Sequence, residues 1–173
     1  KTFGVLLFVQ FGLGGLGVEA WWVLVFLPIG GLIVGWLTTR FAPEAEGHGT
    51  EQMIRTFHQL EGKVRRRVIG IKALTSAITI GTGGSAGREG PIAQIGAGFG
   101  SFLADWLKMS DWERRMLILA GAAGGVGAIF QAPLGGALFA VEVLYCSTAI
   151  EFSAIVPCVV SSVVAYSVFS AIF

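Results

Sequence analysis

The sequence predicts an all-α, multi-pass membrane protein built from tilted and broken helices. Three observations predict it. Hydrophobic residues make up 54% of the 173 positions and charged residues only 13%, about half the charged share of an ordinary globular chain. Mean hydropathy is +0.74. The 26 glycines fall between and within apolar stretches, and glycine is more frequent in membrane helices than in soluble ones.

The elements follow in order. Residues 3–18 are apolar and read as the end of a preceding helix. Residues 20–39 carry no charge, with Trp21 and Trp22 at one end and Arg40 at the other. A run of about 20 apolar residues bounded by aromatics and a cation reads as a spanning helix. Residues 44–67 form the one strongly polar stretch, with a short helix expected over 51–60. The basic run from Lys63 to Arg67 then marks a cytoplasmic loop, as does Arg40, because cytoplasmic loops carry excess Lys and Arg. From Val68 the chain is apolar to Ile80, then breaks at a glycine-rich segment ending in Gly87-Arg88-Glu89-Gly90-Pro91.

Proline suits the first helical turn, so Pro91 is expected to start a helix running to about Lys108. Ser110 and Glu113 stand three apart and read as a capping box. Residues 116–141 are again charge-free, with glycines that allow close helix contact and Pro133 expected to kink the helix. Residues 152–173 form a last stretch of spanning length. Irregular backbone at membrane depth is tolerated only where it lines a cavity or is buried in protein. Broken helices of this kind mark binding sites in transporters.

Composition also excludes classes. A net charge of +1 with one small basic cluster gives no nucleic-acid footprint. Cys146 and Cys158 sit in apolar surroundings and read as packing residues rather than a disulfide or metal pair. No motif calls for a cofactor, and no cleavable leader is evident. The chain starts and stops in mid-pattern, so a piece of a longer protein is expected, with residues 1–173 forming part of one transmembrane domain.

Two glycine-bearing turns should open short helices: Gly47-His48-Gly49-Thr50 and Gly87-Arg88-Glu89-Gly90. A helix N-terminus presents unpaired N–H groups and a partial positive charge. Two such ends aimed at one point would hold a small anion without a fixed cation, loosely enough for it to leave again. Glu89 is the sharpest candidate, because an acidic residue between apolar stretches is expensive and is by default a functional group. At a helix N-terminus its carboxylate would occupy the anion's own place, and protonation would clear it. The plainer reading is that Glu89 pairs with Arg88 or merely caps the helix.

Gly87-Arg88-Glu89-Gly90-Pro91 followed by Gln94-Ile95-Gly96 resembles a signature of the CLC family of chloride channels and chloride–proton antiporters. Ala42-Pro43-Glu44-Ala45 is similar to the family's approach to its first anion-binding loop. Gly121-Ala122-Ala123-Gly124, Phe130-Gln131-Ala132-Pro133-Leu134-Gly135-Gly136, Leu138-Phe139 and Glu142 are similar to its later helix pair. The matches keep the family's order over residues 20–173. The resemblance implies a fold of two inverted halves, with this chain supplying most of the first. It also implies homodimers in a plasma or inner membrane with one pore per subunit, and a second half that adds further anion ligands. The glycine-rich helices after Gly121 and after Ile150 would face the dimer partner. It implies that Glu89 is the external gate and that Arg88, Gly90, Pro91 and Ile92 frame the anion site.

Two departures from the family pattern matter. The family's first loop often has a serine and a proline where this chain has His48 and Glu51. An imidazole can donate a hydrogen bond, but its size and pH-dependent charge change the site; alternatively His48 turns away and backbone N–H groups alone bind. Glu51 favours the helix dipole yet repels an anion, which puts the anion preference in question. Many exchangers of the family carry a cytoplasmic glutamate where this chain has Val143, and a valine cannot relay a proton. Val143 therefore leans the reading toward a passive chloride channel, with a proton-coupled chloride exchanger of the same family as the alternative. Glu142 reads as structural.

Other polar groups have ordinary readings. His58 is expected to face solvent, Arg114 and Arg115 to anchor at the interface, Asp105 to lie at a helix end near water, and Trp106 and Tyr145 to join an aromatic belt. Gly81-Thr82-Gly83-Gly84-Ser85-Ala86 matches a loose dinucleotide fingerprint, with Asp105 near the required spacing. A nucleotide-dependent enzyme would need a strand before it and a soluble α/β sheet, and the apolar flanks supply neither. A membrane scaffold with no pore is the third reading.

Overall fold

The computed structural model describes residues 21–144 and 152–172, with side chains described from Val25 to Leu144 and from Ser153 to Ile172. Among these residues the fold is all helical. In chain order the helices are α1 (Trp21–Phe41), α2 (Thr50–Gln59), α3 (Arg66–Gly81), α4 (Glu89–Trp106), α5 (Asp111–Phe130), α6 (Pro133–Leu144) and α7 (Phe152–Ile172). A 3-10 turn, Pro43–Ala45, separates α1 from α2. The expected helix at 3–18, Tyr145 and Cys146 lie outside the described residues.

Helix α5 is the central post, packed against α4, α6 and α7. Half of its buried residues are Ala or Gly, among them Ala122, Ala123 and Gly124 beside Ile118 and Leu119. Against α4 the two backbones almost touch. A Cβ at Gly96 would fall on the carbonyl of Gly121, one at Gly121 on the carbonyl of Gly96, and one at Gly100 on the carbonyl of Leu117. Small residues one helical turn apart are the usual route to such close packing where no hydrophobic effect drives helices together. Large apolar side chains point outward instead, among them Leu32, Leu134, Val156 and Ile172. Within the described residues, Ser153–Ile172 is long and apolar enough to cross a membrane, while Val25–Phe41 and Pro133–Leu144 are shorter apolar stretches.

Several boundaries differ from the sequence expectation, each for a local reason. Helix α4 begins at Glu89 rather than Pro91. Pro91 stands third, among the first-turn positions whose N–H groups lack an intrahelical partner anyway, so its missing N–H costs nothing. Pro133 does not kink a long helix but opens a new one. Gln131 adopts a left-handed conformation with φ 56° that ends α5, and Pro133 is the first residue of α6. The capping box forms as expected: Glu113 N–H donates to Ser110 Oγ, and Ser110 N–H donates to Glu113 Oε2 at 2.8 Å.

Two charged residues also part from expectation. Arg114 is not an interfacial anchor but is buried, held by Asp111 at 2.6 Å and by Asp105 at 3.0 Å. Arg115 is half-buried, with its guanidinium 5.9 Å from the centre of the Phe57 ring. Asp105 does stand in the last turn of α4, and Trp106 is exposed there.

Candidate functional site

The two glycine turns singled out in the sequence meet. Gly49 caps α2 with φ 95°, and Gly47 has φ 76°, both in the left-handed region that favours glycine. The carbonyl oxygen of His48 lies where a Cβ on Gly90 would be, and a Cβ on Gly49 would lie 2.8 Å from the carbonyl oxygen of Gly90. The N-terminus of α2 thus rests on the N-terminus of α4, backbone to backbone. Neither helix start is capped by a side chain.

The inward bonds begin at the fourth residue of each helix, as in any α-helix. Met53 N–H is the first of α2 to bond back, to the Gly49 carbonyl at 3.0 Å, and Ile92 N–H the first of α4, to the Arg88 carbonyl at 3.1 Å. Thr50, Glu51 and Gln52 on one helix, and Glu89 and Gly90 on the other, therefore keep N–H groups without an intrahelical acceptor. Converging uncapped ends carry partial positive charge and suit a small anion.

Glu89 is the first residue of α4 and is exposed. No ion pair joins it to Arg88 or to any other described cation. A Cβ on Gly87 would stand 4.0 Å from Glu89 Oε2, so the carboxylate turns back over the glycine turn rather than along the helix. Arg88 is exposed, Gly90 and Pro91 are buried, and Ile92 is half-buried against α5, where a Cβ on Gly125 would strike its carbonyl. His48 has an exposed side chain without a described hydrogen bond; its part in the packing is played by its carbonyl. Thr50 is half-buried, while Glu51 faces out.

Lys72 is the residue that sequence reading missed. Only 3% exposed, it reaches from α3 under the first turn and donates to the Ala45 carbonyl at 2.9 Å and the Gly47 carbonyl at 2.6 Å. It thereby fixes the turn and adds a buried cation beneath it. The signal was present: Lys72 is the one charge in the otherwise apolar run 68–80, and such a charge is functional by default. Gln94 supports the same turn from α4, donating from Nε2 to the Glu44 carbonyl at 2.8 Å.

Val143 lies elsewhere. It packs half-buried against the core near the end of α6. The next residue, Leu144, accepts a hydrogen bond at 2.8 Å from His58 Nε2 in the last turn of α2. A carbonyl can only accept, so Nε2 carries a proton. His58 is thus exposed but tethered, not simply solvent-facing. From Thr50 to His58 is about 12 Å at 1.5 Å per residue, so Val143 sits near the far end of α2 from the glycine turns. Among the described residues no cluster of His, Cys, Asp and Glu has the makings of a metal site. The 81–86 glycine segment follows helix α3, not a strand, which removes the structural context of a dinucleotide fold.

Comparison with known proteins agrees with the motif order. The chain is 38% identical to the H(+)/Cl(-) exchange transporter ClcA of Cronobacter sakazakii over 70% of its length, covering 27% of that protein. It is 40% identical to the protein of the same name in Klebsiella pneumoniae (strain 342), over 70% of this chain and 26% of the relative. To that of Vibrio vulnificus (strain YJ016) it is 34% identical over 88% of this chain and 33% of the relative. The chain therefore spans between a quarter and a third of the length of these relatives. The sequence profile of the voltage gated chloride channel family matches residues 30–173. With the signature motifs, the helical fold and this match in hand, the chain belongs to the voltage gated chloride channel family of membrane proteins.

Proposed function

We propose that this chain forms the first part of the transport domain of a proton-coupled chloride exchanger, working in a membrane as a homodimer. One observation carries the reading: two uncapped helix starts touch at His48, Gly49 and Gly90, with Glu89 beside the contact. Backbone N–H groups at these ends attract chloride, and Lys72 beneath the turn adds to the positive potential. The Glu89 carboxylate competes for the same place. Protonation removes its charge and admits the anion, so one side chain links proton and chloride occupancy. Arg88, Gly90, Pro91 and Ile92 frame the site by position rather than by ligation.

The valine at position 143 argued for a passive channel. The names of the relatives favour exchange instead, since each is called an H(+)/Cl(-) exchange transporter. Those names also describe transporters rather than enzymes. The passive channel stays as the second reading because Val143 gives that position no ionisable group.

Chloride efflux from liposomes holding the full-length protein, with external pH recorded at the same time, tests the proposal. Proton movement driven uphill by the chloride gradient is the expected result. Chloride efflux without proton movement would mean a passive channel, with Val143 the simplest reason.

A further inference from the structure

Gln94 stands on α4 one helical turn after Gly90, the residue that meets the first glycine turn, and is only 5% exposed. Its amide touches both ends of the segment that carries the turn. Nε2 donates to the Glu44 carbonyl at 2.8 Å, and because a carbonyl can only accept, the other amide atom is the oxygen. Oε1 lies 2.8 Å from where a Cβ on Gly49 would stand. Neither this oxygen nor Glu44 Oε2 has a hydrogen-bond partner, so no second bond backs the first. A cavity of about 700 Å³ also adjoins it, with Pro43, Glu44, Gln94 and Ala97 in its walls, so close packing does not back it either.

The segment is held from α3 as well. Ala42 and Ala45 share an apolar cluster with Val64, Val68 and Ile71, in and just before α3, and Lys72 donates to the Ala45 and Gly47 carbonyls. The chain from Ala42 to Gly49 is thus a bridge between α3 and α4. Among the described residues, the Gln94 amide supplies the one hydrogen bond from an α4 side chain to that bridge. Lys72 brings charge together with its bonds, whereas Gln94 brings a bond without charge. Loss of Gln94 therefore changes where the turn sits and leaves the net charge around it unchanged.

We propose that Gln94 is a positioning residue: it sets the separation of the two helix starts and, through it, which anions the site accepts. The inference deepens the reading of those starts as the anion site and rests on it. Gly90 and Gln94 belong to one helix, so the amide gauges the turn against the start of α4. Backbone N–H groups cannot extend to follow an anion as long side chains do. Their fit to an anion of a given size depends on supporting bonds that hold the backbone in place. With the amide gone, the turn stays with α3 through Lys72 and moves away from α4. A wider gap favours anions larger than chloride.

The test uses the full-length protein in liposomes, comparing efflux of chloride, bromide and nitrate, with external pH recorded and melting measured beside it. Gln94→Met keeps the length of the side chain and removes the donor, and nitrate flux relative to chloride should rise several-fold. Gln94→Asn is one methylene too short to reach the Glu44 carbonyl. It should shift the ratio in the same direction, and it decides the matter where Gln94→Met fails to fold. A merely structural role predicts a lower melting temperature with the parent's anion ratios, and that result overturns the proposal while leaving the anion-site reading intact. A parent protein that releases none of these anions overturns both.

Discussion

The carbonyl oxygen of His48 occupies the position that a Cβ on Gly90 would need. The oxygen belongs to backbone, so neither partner can turn aside. Gly90→Ala should therefore separate the two helix starts or fail to fold. Overpacking a tight contact costs typically about 1–3 kcal/mol, and a backbone obstacle lies at the upper end. Thermal melting of the detergent-solubilised full-length protein should show the loss, together with weaker chloride binding by calorimetry. Gly70→Ala, where a Cβ has open space, is the control that should melt normally.

Lys72 gives a second prediction. Replacing it with methionine keeps the apolar stem but leaves the carbonyls of Ala45 and Gly47 without their donor. Each buried acceptor stranded in this way costs about 1–3 kcal/mol. The turn should loosen, and chloride affinity should fall several-fold as a cation is lost beneath the site. Lys72→Arg should not restore it, because a planar fork cannot reproduce a compact ammonium in the same space. Equal chloride affinity in Lys72→Met would remove Lys72 from the site.

Much of this arrangement was legible in the sequence, but unevenly. Apolar length and the glycine breaks placed the described helices except α6, which was read as the continuation of α5, and Ser110 with Glu113 set the start of α5, because these signals act within a few residues. Glu89 and the Gly47 turn stood out for the same reason. The tie from Lys72 did not, since its acceptors lie 25 and 27 residues away. Arg114 was misread because its burial depends on Asp105, nine positions earlier on another helix. Pro133 is ambiguous alone: proline serves equally as a kink or as a first residue, and the left-handed Gln131 decides for the second. The orphan oxygens of Glu44 and Gln94 are products of tertiary packing and have no sequence signal.

The capping box sets a pH dependence. The Ser110 hydroxyl and N–H hold the Glu113 carboxyl below its usual range. A depressed carboxylate contributes stability at pH above its unfolded value, about 4.3, and that contribution is lost as pH falls through the lower folded value. Glu113 is fully exposed and lies before the apolar stretch that begins at Met116, so the effect is small and reduced by salt. Glu113→Gln should lower the melting temperature slightly at neutral pH and converge with the parent at acid pH, which flattens the acid side of the profile. Ser110→Ala removes the cap itself and should destabilise at all pH values, by about 1 kcal/mol.

Glu89 carries the prediction that separates a gate from a cap. Glu89→Gln is neutral at every pH and resembles the protonated carboxyl in size. A group whose protonation clears the anion's place makes flux through the parent rise as pH falls. In Glu89→Gln that dependence should vanish, chloride flux at neutral pH should rise several-fold, and proton movement should cease. A helix-capping role predicts the opposite pattern: a lower melting temperature, with pH dependence retained. Measuring efflux across a pH series beside the melting curve distinguishes the two, because Glu89 has no described ion pair whose loss would mimic gating. Retained pH dependence with normal proton coupling would assign the gate to another residue.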